Sequence, residues 1–272
     1  MDIKGAISDL EKKSLDNLFE ELKVYKGTKT LFDMSLHNQC DLLNFLSQDK
    51  ISTSSETLGL HTNRFLINYL SSAKMFIEHT ELTIKKKYGE KSQQFQEWKI
   101  DTASEYDNHF AYRFLYQLRN YTQHSGLPIG SISKQLVENN GEETKVLKIS
   151  FNRDKLLEDS FNWKKLRKEI EDLPEKFLVL DLVNEFNGCM ARLYQSALAQ
   201  ISKDLASSIQ DYLKLLALYK INGLPFLYKF KNYTDRYNPE NYMQVQPLPP
   251  QKEMVDCLTE LHEFKVIELN LT

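Results

Sequence analysis

From Leu178 to Leu216 apolar side chains return every three or four residues for close to forty positions. Leu178, Leu182, Val183, Phe186, Met190, Leu193, Ala197, Ile201, Leu205, Ile209, Tyr212, Leu213 and Leu216 make up the series. That period belongs to the α-helix, whose turn of 3.6 residues brings such positions onto one stripe. A stripe this long needs partners of comparable length, so the rest of the chain must supply other long helices. The segment exceeds an ordinary globular helix. It is read as one helix opened by Pro174, or as two helices broken near Ser207-Ser208, with Gly223 and Pro225 as the stop.

Other segments show the same period. Ile3, Ile7, Leu10, Leu15, Leu18, Phe19 and Leu22 predict a helix over residues 3–25, ended by Gly27. A second follows with Leu31, Met34, Leu42, Leu43, Phe45 and Leu46 as its apolar set, up to a loop at Ser52 to Ser55. Residues 56–88 predict a long helix, closed by Lys85-Lys86-Lys87 and Gly89. A short helix from Ser92 to Trp98 leads into another, whose start is marked by Ser104 with Asp107 and whose end is marked by Gly126 and Pro128.

After Pro128 the pattern turns to alternation. Ser131 to Val137 and Thr144 to Phe151 flank Asn139-Asn140-Gly141-Glu142, and Asn-Gly between two β-prone runs predicts a hairpin. Two short helical pieces follow in residues 154–170. Beyond Gly223 the chain is rich in aromatics and proline, then predicts a helix over residues 251–263 and a strand-like end at Phe264 to Leu269. The fold class is thus all-α with an inserted β-hairpin at about 131–151. We divide it into a helical domain over residues 1–222 and an irregular C-terminal extension over 223–272 packed on that domain. Only 9 Gly and 7 Pro among 272 residues argue against a turn-rich sandwich or barrel.

Charge and cysteine usage exclude several functions. Lys and Arg number 35 against 38 Asp and Glu, a net −3 that does not suit non-specific coating of nucleic acid. No apolar run reaches the length of a membrane span, and the charged N-terminus does not resemble a signal peptide. Cys40, Cys189 and Cys257 are odd in number and far apart, which points to a reducing, cytoplasmic setting. No CxxC, HxxxH or HExxH spacing occurs, so neither a metal site nor a cofactor is expected.

One helix combines an apolar stripe with chemistry. Ala111, Leu115, Leu118 and Thr122 form the stripe; Tyr112, Tyr116, Arg119, Asn120, Gln123 and His124 lie towards the other side. Asn120 and His124 are four apart and share a face. A guanidinium grips a phosphate through two bonds, and an imidazole moves protons near neutral pH. Proton transfer by a placed side chain contributes roughly 100- to 10,000-fold in rate. An amide can orient the imidazole or a phosphate oxygen, and metal-independent cleavage of RNA requires that the 2′-hydroxyl proton be taken, the charged phosphorane stabilised and the 5′-oxygen helped to leave. The plain alternative is that His124 only offsets the helix dipole and Arg119 pairs at the surface. Tyr112, Tyr116 and Arg113 either line a base-binding groove or pack the bundle. Asp107 and His109 read as helix-start residues, and the basic run Lys164 to Lys168 as a solvated face. Phe226, Tyr228, Phe230, Tyr233, Tyr237 and Tyr242, interleaved with Lys229, Lys231 and Arg236, read as an arm or a single-strand RNA surface.

Arg-Asn-Tyr-Thr-Gln-His at 119–124 resembles the R-x4–6-H motif of the HEPN superfamily, in which the Arg is commonly followed by Asn, His or Asp. The resemblance implies an up-and-down helical bundle with the motif at the end of a late helix. It implies a metal-independent endoribonuclease of the toxin or antiphage-defence kind, leaving 2′,3′-cyclic phosphate and 5′-hydroxyl ends. Arg119, Asn120 and His124 are then catalytic, with Arg113, Tyr116 and Gln123 holding substrate. The implied partners are RNA, a second copy of the chain that completes a composite cleft, and an antitoxin or regulatory protein. A non-catalytic HEPN-like module that binds nucleotide, RNA or a protein is the competing class. One toxin branch carries Tyr two positions after the His, where this chain has Gly126.

Overall fold

The first helix begins on a reciprocal cap. In the computed structural model, which describes residues 4–47, 54–139, 142–158, 161–202 and 204–268, the Ser8 amide donates to Glu11 Oε2 at 2.7 Å and the Glu11 amide donates to Ser8 Oγ at 3.2 Å. This capping box starts α1 (Asp9–Ser47), later than the predicted start at residue 3, and the helix then runs through Gly27. The expected break there is therefore corrected. Buried Leu15, Leu18, Leu22, Tyr25, Thr28, Phe32 and Ser35 keep one stripe across the glycine. An exposed helical glycine costs only about 1 kcal/mol, less than abandoning that stripe. Phe32 rather than Leu31 carries the packing of the second half, and Met34 is exposed.

The chain falls into two compact units, one formed by Gly27–Ala197 and the other by the segments before and after it. In the first unit, α2 (Ser55–Tyr88) starts where Ser54 Oγ accepts from the Thr57 amide at 3.2 Å. It ends at Gly89, whose φ of +93° suits a residue without Cβ. The three lysines occupy its last turn, as expected. Next come α3 (Gln93–Asn108) and α4 (Phe110–His124). Ser104 and Asp107 thus lie inside α3 and do not start the later helix. The break falls at His109, which is extended at φ −124° and ψ 111°. Two carbonyls at the end of α3, those of Tyr106 and Asp107, accept from Arg113 Nη1 at 2.6 and 2.9 Å. A side chain of the next helix thereby satisfies groups that every helix end leaves open.

The hairpin is present: β1 (Ile129–Asn139) pairs with β2 (Glu142–Asn152) in antiparallel register, Asn139 opposite Glu142. The Asn140-Gly141 turn itself lies outside the described residues. Two short helices follow, α5 (Arg153–Glu158) and α6 (Leu166–Glu171). Pro174 does not open a helix. Residues Lys176–Leu178 form β3, which adds to β2 with Phe177 opposite Phe151. The reason is aromatic: Phe177 lies 5.3 Å from Phe151 and 5.6 Å from Phe114, so the strand closes a ring cluster. Only then does α7 (Val179–Ile201) begin.

The long periodic segment is two helices, since α8 (Leu205–Leu218) starts afresh, a few residues before the predicted break. In the second unit the extension is more regular than its composition suggests. β4 (Phe226–Phe230) and β5 (Tyr242–Pro247) pair antiparallel, joined by two 3-10 turns, and α9 (Gln251–Glu263) follows as predicted. Tyr212 on α8 donates to the Pro249 carbonyl at 2.7 Å just ahead of α9. The strand-like end predicted from Phe264 is turn and bend as far as residue 267, and residue 269 lies outside the described residues. Among the described residues the fold is mostly helical with two small antiparallel sheets, one of them built on the inserted hairpin. Among the described residues no helix is long and apolar enough to cross a membrane.

Candidate functional site at the end of the fourth helix

The core holds α4 along most of its length. Ala111, Tyr112, Phe114, Leu115, Leu118 and Tyr121 are buried. Phe114 and Tyr121 lie 5.7 and 5.4 Å from the indole of Trp163, which donates to the Leu156 carbonyl at 2.9 Å. Tyr112, placed on the polar side by its spacing, is buried between Tyr116 and Phe186 at 6.0 and 5.7 Å. The remaining side carries Tyr116, Arg119, Asn120, Gln123 and His124.

These residues form a graded set. His124 is exposed at the last helical position, and its ring forms no hydrogen bond among the described residues. Asn120, one turn earlier, is half-buried; its Oδ1 accepts from Lys74 Nζ at 2.8 Å and its Nδ2 donates to Gln117 Oε1 at 3.2 Å. Arg119 is half-buried too. Its guanidinium donates to Gln123, while its buried Nε has no partner among the described residues. Tyr116 donates to Glu78 Oε1 at 3.3 Å, and burial together with the Glu78 charge pushes its phenol up to about 12, so it stays protonated.

Lys74 is the residue that sequence spacing missed. It lies on α2, 46 positions before Asn120, with Nζ 3.6 Å from Glu78 and 4.9 Å from the centre of the Tyr116 ring. Its side chain is only 13% exposed. Lys74 meets Asn120 and Glu78 meets Tyr116, so α2 and α4 run antiparallel and deliver a second cation to the motif. Arg113 is not brought to this group. It binds Glu169 at 2.6 Å and the end of α3, roughly two turns away. The site therefore combines an exposed imidazole, an amide and two cations, of which Lys74 is largely buried and paired with Glu78. That combination can bind a phosphate and exchange a proton beside it.

A second cluster gathers at the start of α4. Donor atoms of Glu105, His109 and Cys189 lie within 4.8 Å of one another. Arg192 joins them: Nε is 2.6 Å from Glu105 Oε1, and Nη2 is 2.7 Å from Oε2, 3.0 Å from His109 Nε2 and 3.4 Å from Cys189 Sγ. Glu185 Oε1 is 3.4 Å from His109 Nδ1. Burial works to raise the Glu105 carboxyl, but the Arg192 bonds outweigh it and hold the group below its usual range. Burial and the Glu105 contact push the Cys189 thiol up to about 12. No short metal-binding motif marks this group, because its members come from α3, the α3–α4 break and α7.

A cavity of about 710 Å³ in the other unit is lined by Leu15, Leu216, Tyr219, Phe226 and Tyr228, among others, and by none of the motif residues. Comparison of the chain with protein-family models, with curated proteins and with solved structures finds no match.

Proposed function

We propose that this chain is an endoribonuclease of HEPN type, cleaving RNA without a metal to 2′,3′-cyclic phosphate and 5′-hydroxyl ends. The observation that carries the reading is the exposed His124 standing one turn beyond Asn120, whose amide holds the Lys74 ammonium, with Arg119 next to Asn120 in the chain. His124 takes the 2′-hydroxyl proton or returns one to the leaving 5′-oxygen. Arg119 and Lys74 offset the charge that develops on the phosphorane. Asn120, held by Lys74 and Gln117, orients a phosphate oxygen or the imidazole. One helix offers one such set, so a second copy of the chain supplies the facing half of the cleft. In a cell the activity is that of a toxin or antiphage effector, restrained by an antitoxin or regulatory protein.

The internal bonds favour one other reading. Arg119 is engaged by Gln123, and Asn120 by two neighbours. A site so satisfied suits a module that binds RNA or nucleotide without cutting it. Incubating purified wild type and His124→Ala with total RNA in EDTA separates the two. The enzyme reading expects fragments from wild type only, with cyclic-phosphate ends. Identical patterns, or RNA bound and left whole by wild type, sink it.

A further inference from the structure

The cluster at the start of α4 has the construction of a metal centre with an arginine in the metal's place. Nη2 of Arg192 touches a carboxylate oxygen, an imidazole nitrogen and a thiol sulfur at once, at 2.7, 3.0 and 3.4 Å. One nitrogen of a guanidinium cation therefore already sits where O, N and S donors converge. The imidazole is arranged for ligation as well: Nε2 faces the converging donors, and Nδ1 faces Glu185 Oε1 at 3.4 Å. A carboxylate on the side of the far ring nitrogen favours the tautomer in which Nε2 keeps its lone pair, the usual support of a metal-bound histidine.

We propose that Glu105, His109 and Cys189 form a binding site for a zinc-class divalent cation, which enters by displacing the Arg192 guanidinium. Three donors of O, N and S type with one open position match the preference of zinc. Tetrahedral ligands of zinc stand about 3.3–3.8 Å from one another, so donors now within 4.8 Å need to close by roughly 1 Å. The exit path exists, because the Arg192 side chain is 49% exposed while Glu105 is 10% exposed. Charge balances too. Cys189 gives its proton to solvent on ligation, and the thiolate and the Glu105 carboxylate offset the two positive charges of the ion. The ion then joins α3, the start of α4 and α7. This site is separate from the Arg119–His124 surface and takes no part in the cleavage proposed there.

The test titrates Co2+ into the chelator-freed, reduced full chain and reads the thiolate-to-cobalt charge-transfer band. We expect one saturable equivalent, bleached by Zn2+. Arg192→Ala should tighten binding about fivefold to tenfold, since no ion pair then has to be broken. Glu185→Gln should weaken it about 10- to 100-fold. Cys189→Ala should abolish the band, which separates this site from Cys40 and Cys257. If that buried substitution prevents folding, His109→Ala on the half-exposed ring replaces it, and the band should be lost or weakened at least as much as in Glu185→Gln. No band in either wild type or Arg192→Ala overturns the proposal. So does a band that survives Cys189→Ala, or wild-type affinity in His109→Ala.

Discussion

Lys74 Nζ donates to Asn120 Oδ1 at 2.8 Å, across two antiparallel helices. The bond fixes the amide of the motif and leaves a largely buried ammonium beside it. Lys74→Met removes the charge and keeps most of the stem. The RNA cleavage proposed above should fall about 100-fold, as for loss of one preorganised donor to a developing anion. Thermal stability should fall by about 1–2 kcal/mol, because the Asn120 bond, the Glu78 ion pair and the Tyr116 contact are lost together. Rates on a short RNA, with parallel thermal melts, check this. Full activity in the variant would remove Lys74 from the site.

Trp163 supports the motif from behind. Its ring is 1% exposed and stacks on both Phe114 and Tyr121. Trp163→Ala should cost about 3–5 kcal/mol of stability, the range for deleting a buried aromatic. Urea unfolding followed by far-ultraviolet circular dichroism would show it as a lower midpoint. A loss under about 1 kcal/mol would mean that the cluster repacks around the gap.

Gly27 lies inside α1 and faces open space, with nothing within 4 Å of where a Cβ would stand. Gly27→Ala should therefore stabilise the chain by about 0.5–1 kcal/mol. Gly27→Pro should destabilise it by about 3 kcal/mol or more. If both variants melt with the wild type, the helix does not run through this position.

The Glu105–Arg192 pair sets a pH dependence whose sign follows from the carboxyl. The folded-state pKa of Glu105 lies below its ordinary 4.5, so the pair stabilises the fold above that value. The contribution disappears as pH falls through the folded-state value. Wild type should thus exceed Glu105→Gln in stability near neutrality, and the gap should close in acid, as pH falls below the ordinary carboxyl range. Denaturation curves across that range measure it. A gap that persists in acid would assign the difference to packing.

Much of the fold was legible because helical period is a local signal. The stripes of α2 and α9, the lysines before Gly89 and the Asn-Gly hairpin signal all lie within a few residues of what they specify. The errors share a cause. Gly27 and Pro174 act as local stop and start marks, but the stripe through Phe32 and the ring cluster around Phe177 outweigh them. Ser104 with Asp107 has the spacing of a cap, yet the turn of α3 continues to Asn108. The site divides in the same way. Arg119, Asn120 and His124 are visible as a run, whereas Lys74 reaches the motif only through the packing of α2 on α4. Glu105 and His109 are one turn apart, but Cys189 and Arg192 reach them from a helix far along the chain, so no spacing rule finds the cluster.

The single-residue break between α3 and α4 bears on how the molecule can bend. A joint of one residue leaves two free torsions, those of His109, to set the bearing of the helix that carries the motif. The ring of that residue is gripped by three charged side chains, and Arg113 spans the joint to the carbonyls behind it. Both degrees of freedom are thus held by side chains together with two backbone bonds, from the His109 amide to the Glu105 carbonyl at 3.1 Å and from the Arg113 amide to the His109 carbonyl at 3.2 Å. The buried face of α4 sets its course, and a change in charge among those polar contacts acts on it through the joint.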